Sequence, residues 1–158
     1  MLRILILSNA FTGGWLVLEP FITPSVFKAA GSDASIRDEW NYGLKGYGGS
    51  RTLALAALKR HQSTFVSESD FQQMAQFNLN HIRIPIGYWA FGTNNGEPYL
   101  VADQWSLLKQ AAGWAGKYGL KVMVDLHGVQ SSQNGFDHSG RYGSIGWQYS
   151  QSVSSRAL

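Results

Sequence analysis

Arg83, Asp125 and His127 have the side-chain types and the spacing that a catalytic or binding site needs. Asp125 and His127 stand two residues apart in Asp-Leu-His-Gly, at the end of an apolar run, and Arg83 lies within His-Ile-Arg-Ile-Pro-Ile. A guanidinium in an apolar segment needs a carboxylate partner or a polar site. Arg83 is therefore either one half of a structural ion pair or the group that orients an active-site carboxylate.

His127 is open to three interpretations. It is a hydrogen-bonded loop histidine, a contact in a substrate or catalytic site, or a metal ligand together with Asp125. An enzyme's metal site needs three or four ligands. The positions of His61, His81 and His138 along the chain give the third interpretation no support, so we expect no metal ion.

A second group of residues has the chemistry of a sugar site. Residues 88–91 (Tyr-Trp-Ala-Phe) and Phe136 supply aromatic rings, which are suited to stack on the apolar C–H faces of sugars, although Trp89 and Phe91 are equally open to a packing role. Asn134 and Asp137 supply amide and carboxylate groups for hydroxyls. Glu19 follows an apolar run, where a carboxylate must be hydrogen-bonded, and we interpret it as functional.

Strands are predicted immediately before these polar residues. In residues 81–86, three isoleucines share one face of a strand and Arg83 points to the other. Residues 121–126 form an apolar run typical of a parallel strand covered on both faces. The carboxyl ends of parallel strands meet at one edge of a sheet, which is where α/β folds bind ligands.

Helices are predicted between the strands. Ser67-Glu68-Ser69-Asp70 has the form of a capping box. The helix it opens carries, on one face, Phe71, Met74, Ala75 and Asn78. A second helix runs from about Asp103 to Tyr118 and ends at Gly119. Its stripe at helical spacing consists of Leu107, Ala111, Trp114 and Tyr118.

The remaining segments carry weaker signals. Residues 3–7 predict a buried strand, because the apolar stretch is shorter than that of a signal peptide. Residues 13–15 predict either a tight turn that presents an indole or a core tryptophan. Residues 29–49, rich in Gly, Ser, Asp and Tyr, predict a long irregular insertion. Residues 127–147 predict a long polar loop that is either functional or disordered, and residues 150–158 predict the start of a helix.

The composition excludes several classes of protein. The chain has 158 residues, of which 44% are hydrophobic and 15% charged, so one domain with a core is expected. The net charge is only +3 and the longest basic cluster is 59–61, which argues against nucleic acid. The absence of cysteine excludes disulfides and a cysteine nucleophile. No apolar run approaches the ~20 residues of a membrane span.

Six motifs follow one another along the chain. They are Gly14-Trp15-Leu16-Val17-Leu18-Glu19-Pro20-Phe21-Ile22-Thr23-Pro24-Ser25, Asp38-Glu39-Trp40, His61 with Thr64-Phe65-Val66, the run from His81 to Phe91, Asp125-Leu126-His127-Gly128, and Ser132-Gln133-Asn134-Gly135-Phe136-Asp137. Their residues and order resemble the fungal exo-β-1,3-glucanases of glycoside hydrolase family 5. The resemblance extends from about Gly13 to Trp147.

The resemblance implies an α/β fold in which residues 1–158 form the N-terminal part of a single catalytic domain. This part would be roughly the first three βα units of a (β/α)₈ barrel, since a closed barrel needs ~250 residues. The implied reaction is retaining hydrolysis that releases glucose from the non-reducing ends of β-1,3-glucan or a related β-glucoside. The implied protein is monomeric, extracellular or in the cell wall, and free of cofactors.

The resemblance also implies roles for six residues. Arg83 would hydrogen-bond the nucleophilic glutamate and keep it ionised, and His127 would lie beside the first-bound sugar. Two carboxylates would contact that sugar's hydroxyls, and one aromatic ring would form one side of a clamp at the entrance. The expected substrate-binding residues are Glu19, Asn134, Phe136 and Asp137.

The sequence departs from this family in three ways. Residues 1–12 are atypical, because the family's first strand reads Arg-Gly-Val-Asn-Leu before Gly13, and no secretion signal is recognisable. His138 stands where the family commonly has asparagine. Retaining hydrolysis needs two carboxyl groups about 5–5.5 Å apart, and the family's Asn-Glu-Pro motif is absent, since Leu18 and Gly96 precede the two Glu-Pro pairs. We therefore expect no catalytic glutamate and no activity from this chain alone.

Two alternatives remain open. The first is a non-catalytic β-glucan-binding protein or the product of a decayed gene, which would bind laminari-oligosaccharides without hydrolysing them. The second is a metal-dependent carbohydrate esterase built around Asp125 and His127, which would lose activity on chelation.

Overall fold

The computed structural model of the chain describes residues 9–94 and 96–149. Its centre is a parallel sheet of three strands in the order β1-β2-β3. The strands are β1 (Asn9–Phe11), β2 (His81–Gly87) and β3 (Lys121–Gly128). All three run in the same direction, so their carboxyl ends meet at one edge of the sheet, as the α/β prediction requires.

Five α-helices are present among the described residues. They are α1 (Pro24–Ala30), α2 (Glu39–Lys45), α3 (Arg51–Phe65), α4 (Glu68–Gln76) and α5 (Gln104–Lys117). Short 3₁₀ turns cover Gly46–Gly49, Tyr88–Phe91, Asp137–Ser139 and Trp147–Tyr149. None of the helices described is long and apolar enough to cross a membrane.

The isoleucine face of β2 forms the centre of the main core, as predicted. Ile82, Ile84 and Ile86 are at most 1% exposed, and they pack with Phe71 of α4 and Ala111 of α5. Burying an aliphatic side chain of this size contributes about 1.5–3 kcal/mol. This face therefore holds both crossover helices against the sheet and leaves the opposite face of β2 for polar groups.

The predicted starts and ends of the helices are mostly confirmed. The Ser67 capping box is present at α4, where the Asp70 carboxylate accepts a hydrogen bond from the Ser67 N–H at 2.7 Å. Gly119 follows α5 with φ of 73°, the left-handed conformation that ends a helix. Asn78, however, does not belong to the face of α4, because the helix ends at Gln76 and Asn78 has φ of 59°.

The buried face of α5 is offset from the predicted stripe. Of the predicted residues, only Ala111 is fully buried. Three are partly buried at the edge of the core: Leu107, Trp114 and Tyr118. The residues that α5 buries are Gln104, Leu108, Ala111 and Ala115. The predicted stripe includes the large rings of Trp114 and Tyr118, which lie at the edge of the core. The buried face of α5 instead includes the small residues Ala111 and Ala115.

The prediction of an irregular insertion over residues 29–49 is wrong. The segment contains the end of α1, all of α2 and a 3₁₀ turn. Asp38 caps α2 by accepting a hydrogen bond from the Asn41 N–H at 2.7 Å, and Tyr42 is fully buried. Helix α3 was not predicted at all, although Ser50 caps it.

The prediction that residues 121–126 are covered on both faces is also wrong within the described part of the chain. Met123 and Val124 are each 55% exposed, because β3 is an edge strand here and has only β2 beside it. The strand predicted over residues 3–7 and the helix predicted over residues 150–158 lie outside the described residues.

Candidate functional site

Arg83, Asp125 and His127 meet on the polar face of the sheet, near the carboxyl ends of β2 and β3. Arg83 Nη2 lies 2.5 Å from Asp125 Oδ2, and His127 Nδ1 lies 2.8 Å from the same oxygen. The register pairs Arg83 with Met123, so the two-residue period of a strand places Arg83 and Asp125 on one face. His127 lies at the register shift between Leu126 and Gly128, and its ring reaches the same carboxylate from there. The structure thus contains the ion pair that was one of the two interpretations of Arg83.

The hydrogen bonds assign a tautomer to His127. Nδ1 is 2.8 Å from the Asp125 carboxylate and 3.2 Å from Arg83 Nη2. A guanidinium only donates and a carboxylate only accepts, so the shorter contact is His127 Nδ1–H donating to Asp125. Nε2 then carries a lone pair. It faces His138 Nδ1 at 3.3 Å, although the sequence spacing had given no reason to connect the two histidines.

Glu19 reaches the same place from the segment after β1. Its side chain is buried, with 6% exposed, and its Oε1 accepts a hydrogen bond from the Gly14 N–H at 3.0 Å. One ligand atom each of Glu19, His127 and His138 lies within 4.8 Å of the others. The predicted site residues Glu19, Arg83 and His127 are therefore neighbours in the structure.

Residues 13–15 form the turn that holds Glu19, and this turn does not present an indole to a ligand. Trp15 is fully buried in the main core, and its Nε1–H donates to the Gln62 carbonyl at 2.7 Å. Of the two interpretations of this segment, the core tryptophan is confirmed.

Phe136 and His138 form an aromatic wall beside these groups. Their rings are stacked, with centroids 5.7 Å apart and planes at 11°. Phe21 meets His138 edge to face at 6.1 Å. Phe136 is 60% exposed and Phe21 69% exposed, so both rings present apolar surface to a ligand at the mouth of the site.

Asn134 and Asp137 belong to the same loop but differ in what they leave accessible. Asn134 Oδ1 accepts a hydrogen bond from the Phe136 N–H at 3.0 Å, so its amide oxygen shapes the loop. Asp137 opens the 3₁₀ turn and is partly exposed. No described residue donates a hydrogen bond to its carboxylate, which leaves that group accessible to a ligand.

Contacts with α2 hold this loop in place, and Asp38 is the main link. Its Oδ2 accepts a hydrogen bond from the Tyr142 N–H at 2.8 Å, and the Trp40 N–H donates to the Gly140 carbonyl at 2.9 Å. Arg141 stacks over the Trp40 ring at 3.9 Å. Chemical reasoning on the sequence did not single out Asp38, because its partner lies far along the chain.

Trp89 supports the site from beneath and is not available to stack on a sugar. It is fully buried and lies parallel to Tyr99, with ring centroids 4.1 Å apart. A Cβ on Gly87, Gly128 or Gly140 would overlap its ring. Of the two interpretations of Trp89, the structure contains the packed one, since these glycines create a closed slot for the indole.

Glu39 fixes Trp89 in that slot. Trp89 Nε1–H donates to Glu39 Oε1 at 2.8 Å, and the Leu18 N–H donates to Oε2 at 2.9 Å. The carboxyl group is 1% exposed, and this burial raises its pKa to about 8. Sequence reasoning missed this role of Glu39, and a carboxylate directly before Trp40 gave no signal for it.

A cavity of about 420 Å³ opens beside Arg83 and Glu19. A larger cavity, of about 810 Å³, lies between α1 and α3, and none of the predicted site residues lines it. Imidazole, guanidinium and carboxylate groups grouped beside exposed rings are suited to bind a polyhydroxylated, partly apolar ligand such as a sugar.

The chain matches a described family and several curated relatives. The family model described as Cellulase (glycosyl hydrolase family 5) matches residues 44–152. The chain is 54% identical to the "Probable glucan 1,3-beta-glucosidase A" of Aspergillus fumigatus over 146 residues, which are 90% of this chain and 33% of the relative. It is 54% identical to the "Glucan 1,3-beta-glucosidase" of Pichia angusta over 136 residues, 86% of this chain and 30% of the relative. The chain thus spans about a third of the length of these relatives.

Solved structures match over almost the whole chain. The rutinosidase from Aspergillus niger superposes with a TM-score of 0.77 at 20% identity, covering 95% of this chain and 41% of that structure. The crystal structure of AoRut gives a TM-score of 0.77 at 27% identity, covering 94% of this chain and 40% of that structure. With the three parallel strands and their helical crossovers, these likenesses confirm the predicted partial (β/α)₈ barrel of roughly three βα units.

Proposed function

Because the chain belongs to glycosyl hydrolase family 5, we propose that the complete protein is a glucan 1,3-β-glucosidase. It releases glucose from the non-reducing ends of β-1,3-glucan or a related β-glucoside and retains the anomeric configuration. The observation that carries this proposal is the meeting of Glu19 and His127 at the carboxyl edge of the sheet, beside exposed Phe136. The names of the curated relatives support the choice of β-1,3-glucan.

In this proposal the first-bound sugar lies against Glu19, His127 and Asp137. Glu19 is held by Gly14, and its carboxylate accepts hydrogen bonds from sugar hydroxyls, as does the carboxylate of Asp137. Asp125 holds His127 in one tautomer and orientation. Phe136 stacks on the apolar face of the sugar at the entrance, an interaction of about 0.5–1.5 kcal/mol beyond the area that it buries.

Arg83 orients the catalytic nucleophile in the complete enzyme. A guanidinium has five N–H donors, and the contact with Asp125 is made through Nη2. The remaining donors are suited to a second carboxylate, which they keep ionised. The reaction is a double displacement, in which one glutamate attacks the anomeric carbon, a second protonates the leaving oxygen, and water then releases glucose.

We propose that both catalytic glutamates lie outside this chain, which is then inactive alone. The sequence has four glutamates, and the structure gives each one another partner. Glu19 accepts from Gly14, Glu39 from Leu18 and Trp89, Glu68 from Lys117, and Glu97 from Asn94. We also propose that the protein is a monomer and acts outside the cell or in the cell wall, as the family resemblance implies.

Titration of the chain with laminaritriose, followed by calorimetry, tests the sugar site. We expect saturable binding that Phe136→Ala weakens by about 2–10-fold, the loss of one aromatic stacking interaction. Phe91→Ala is the matched control, because Phe91 is 62% exposed, similar to Phe136, but its ring packs on Trp105 of α5 and not on His138. Absence of saturable binding, or an equal loss in both variants, would overturn the sugar-site assignment.

Two further measurements test the catalytic part of the proposal. Incubation with laminarin is expected to release no glucose from this chain, and any release that follows its concentration would place the catalytic pair inside it. The intact mass of the native product is expected to exceed that of 158 residues. A native mass equal to that of this chain would favour a non-catalytic β-glucan-binding protein instead.

A further inference from the structure

Two imidazole nitrogens in the site are spaced like the ligands of one metal ion. His127 Nε2 and His138 Nδ1 are 3.3 Å apart. Two nitrogens bound to a tetrahedral Zn²⁺ ion at 2.0–2.1 Å lie about 3.3–3.4 Å from each other. One ligand atom each of Glu19, His127 and His138 lies within 4.8 Å of the other two, so the Glu19 carboxylate is available as a third donor.

We propose that Glu19, His127 and His138 bind a divalent transition-metal ion, with Zn²⁺ as the best fit. Two imidazoles and one carboxylate are a donor set typical of Zn²⁺ and of its neighbours Cu²⁺ and Ni²⁺, whereas Ca²⁺ and Mg²⁺ prefer oxygen ligands. Three protein ligands leave a fourth position of the tetrahedron for water.

The groups behind two of the three ligands already have the arrangement that metal sites use. Metal-binding histidines usually donate their second ring N–H to a carboxylate, which fixes the ring and the tautomer. His127 does this with Asp125 at 2.8 Å. Glu19 is 6% exposed and is fixed by the Gly14 N–H, so binding an ion requires little ordering of either side chain.

The charges around the site permit a cation. Arg83 is the nearest guanidinium, but it is paired with Asp125 and lies on the Nδ1 side of His127, away from the metal-facing Nε2. Phe136 and Phe21 flank the His138 ring. The two phenyl rings restrict the rotation of the His138 ring and add no charge. The Glu19 carboxylate supplies one negative charge, which neutralises half of the charge of the divalent ion.

This site goes beyond the proposed hydrolase function. The retaining mechanism uses no metal, and Glu19 and His127 are the groups that the proposal assigns to the sugar. A bound ion would therefore act as a competitive inhibitor, an expectation that rests on the proposed function, whereas the metal site itself does not. The site depends on His138, which stands where the glucanases that this chain resembles commonly have asparagine.

Calorimetric titration of the metal-free chain with ZnCl₂ at pH 7.5, without sugar, tests the site. We expect one-to-one binding. His138→Asn and Glu19→Gln each remove a ligand, so each should weaken binding by more than the ~10–100-fold typical of losing an outer-shell partner. His81→Gln is the matched control, because His81 bonds Asn80 at the start of β2, and it should leave the affinity unchanged.

The two ligand variants keep the test independent of folding. His138→Asn introduces the residue common in the family and should leave the circular dichroism spectrum unchanged. Absence of one-to-one binding, or an affinity that both His138→Asn and Glu19→Gln leave intact, would overturn the proposal. Because no sugar is present, this result is separate from the laminaritriose titration, and either proposal can fail without the other.

Discussion

The buried carboxyl group of Glu39 makes the stability of the chain depend on pH in a specific way. Glu39 lies beneath the site, with 1% exposed, and accepts hydrogen bonds from Trp89 Nε1–H and the Leu18 N–H. Both bonds favour the ionised form. Burial acts in the opposite direction and is the larger effect, so it raises the pKa from 4.5 to about 8.

The sign and size of the effect follow from linkage. Above about pH 6 the carboxyl group is ionised in the unfolded chain, while the folded chain keeps the proton until the pH passes 8. Unfolding therefore releases a proton, and stability falls as pH rises, by about 1.4 kcal/mol per pH unit. Between pH 6.5 and pH 9 the predicted loss is about 2 kcal/mol, and most of it occurs below pH 8.

Urea denaturation followed by tryptophan fluorescence, at intervals from pH 6.5 to pH 9, measures this loss. Glu39→Gln removes the titrating group, so its free energy of unfolding should be about 2 kcal/mol less sensitive to pH over this range. His61, whose pKa burial lowers from 6.5 in the folded chain, still titrates in the unfolded chain near the lower end of the range, but it does so equally in both proteins. Groups that titrate in both proteins cancel in the comparison.

Parallel pH profiles for the native chain and Glu39→Gln would refute this reasoning. They would mean that the two hydrogen bonds, and not burial, decide the protonation state, and that the carboxylate stays ionised beneath the site. Only the change in the free energy of unfolding with pH is compared between the two proteins. The absolute values differ, because glutamine cannot accept both hydrogen bonds and lowers the stability at every pH.

Two other predictions concern packing around the site. Gly140→Ala should destabilise the fold by about 1–3 kcal/mol more than Gly143→Ala, because the new Cβ overlaps the Trp89 ring while that at Gly143 meets open space, and both glycines have positive φ. Equal urea midpoints for Gly140→Ala and Gly143→Ala would contradict the close packing of Gly140 against the Trp89 ring. Gln62→Met should raise the free energy of unfolding by about 1–3 kcal/mol, because the fully buried Gln62 amide has no hydrogen-bond partner among the described residues. A loss of stability in thermal denaturation would show that the amide is paired.

The elements that depend on neighbours in sequence were predictable. The isoleucines of β2 and the Ser67 capping box are confirmed because strand period and helix capping are local effects. The same period predicted that Arg83 points away from the isoleucines, whereas its meeting with Asp125 and His127 depends on the register between β2 and β3. The motif resemblance added the family, which the match to residues 44–152 confirms.

The burial of individual side chains was less predictable, because it depends on what packs against them. Residues 29–49 have the composition of a loop, yet α2 forms there, since Tyr42 is buried among helices and Asp38 is bonded to the distant Tyr142. Trp89 has the chemistry of a sugar platform, but three glycines from separate segments enclose it. Sequence periodicity contains no information on such long-range contacts.

The amino-acid sequence was sufficient to predict the alternation of strands and helices and the polar face of β2, and its motifs were sufficient to identify the family. The meeting of Glu19 and His138 at His127 could be recognised only in the folded chain. The strands, the helices and the polar face follow from the two-residue and 3.6-residue periods, which each segment expresses alone, whereas the family follows from the resemblance of the motifs. The meeting of these residues requires the sheet to bring the segment after β1 and the loop after β3 to the same edge, and no local sequence pattern predicts that contact.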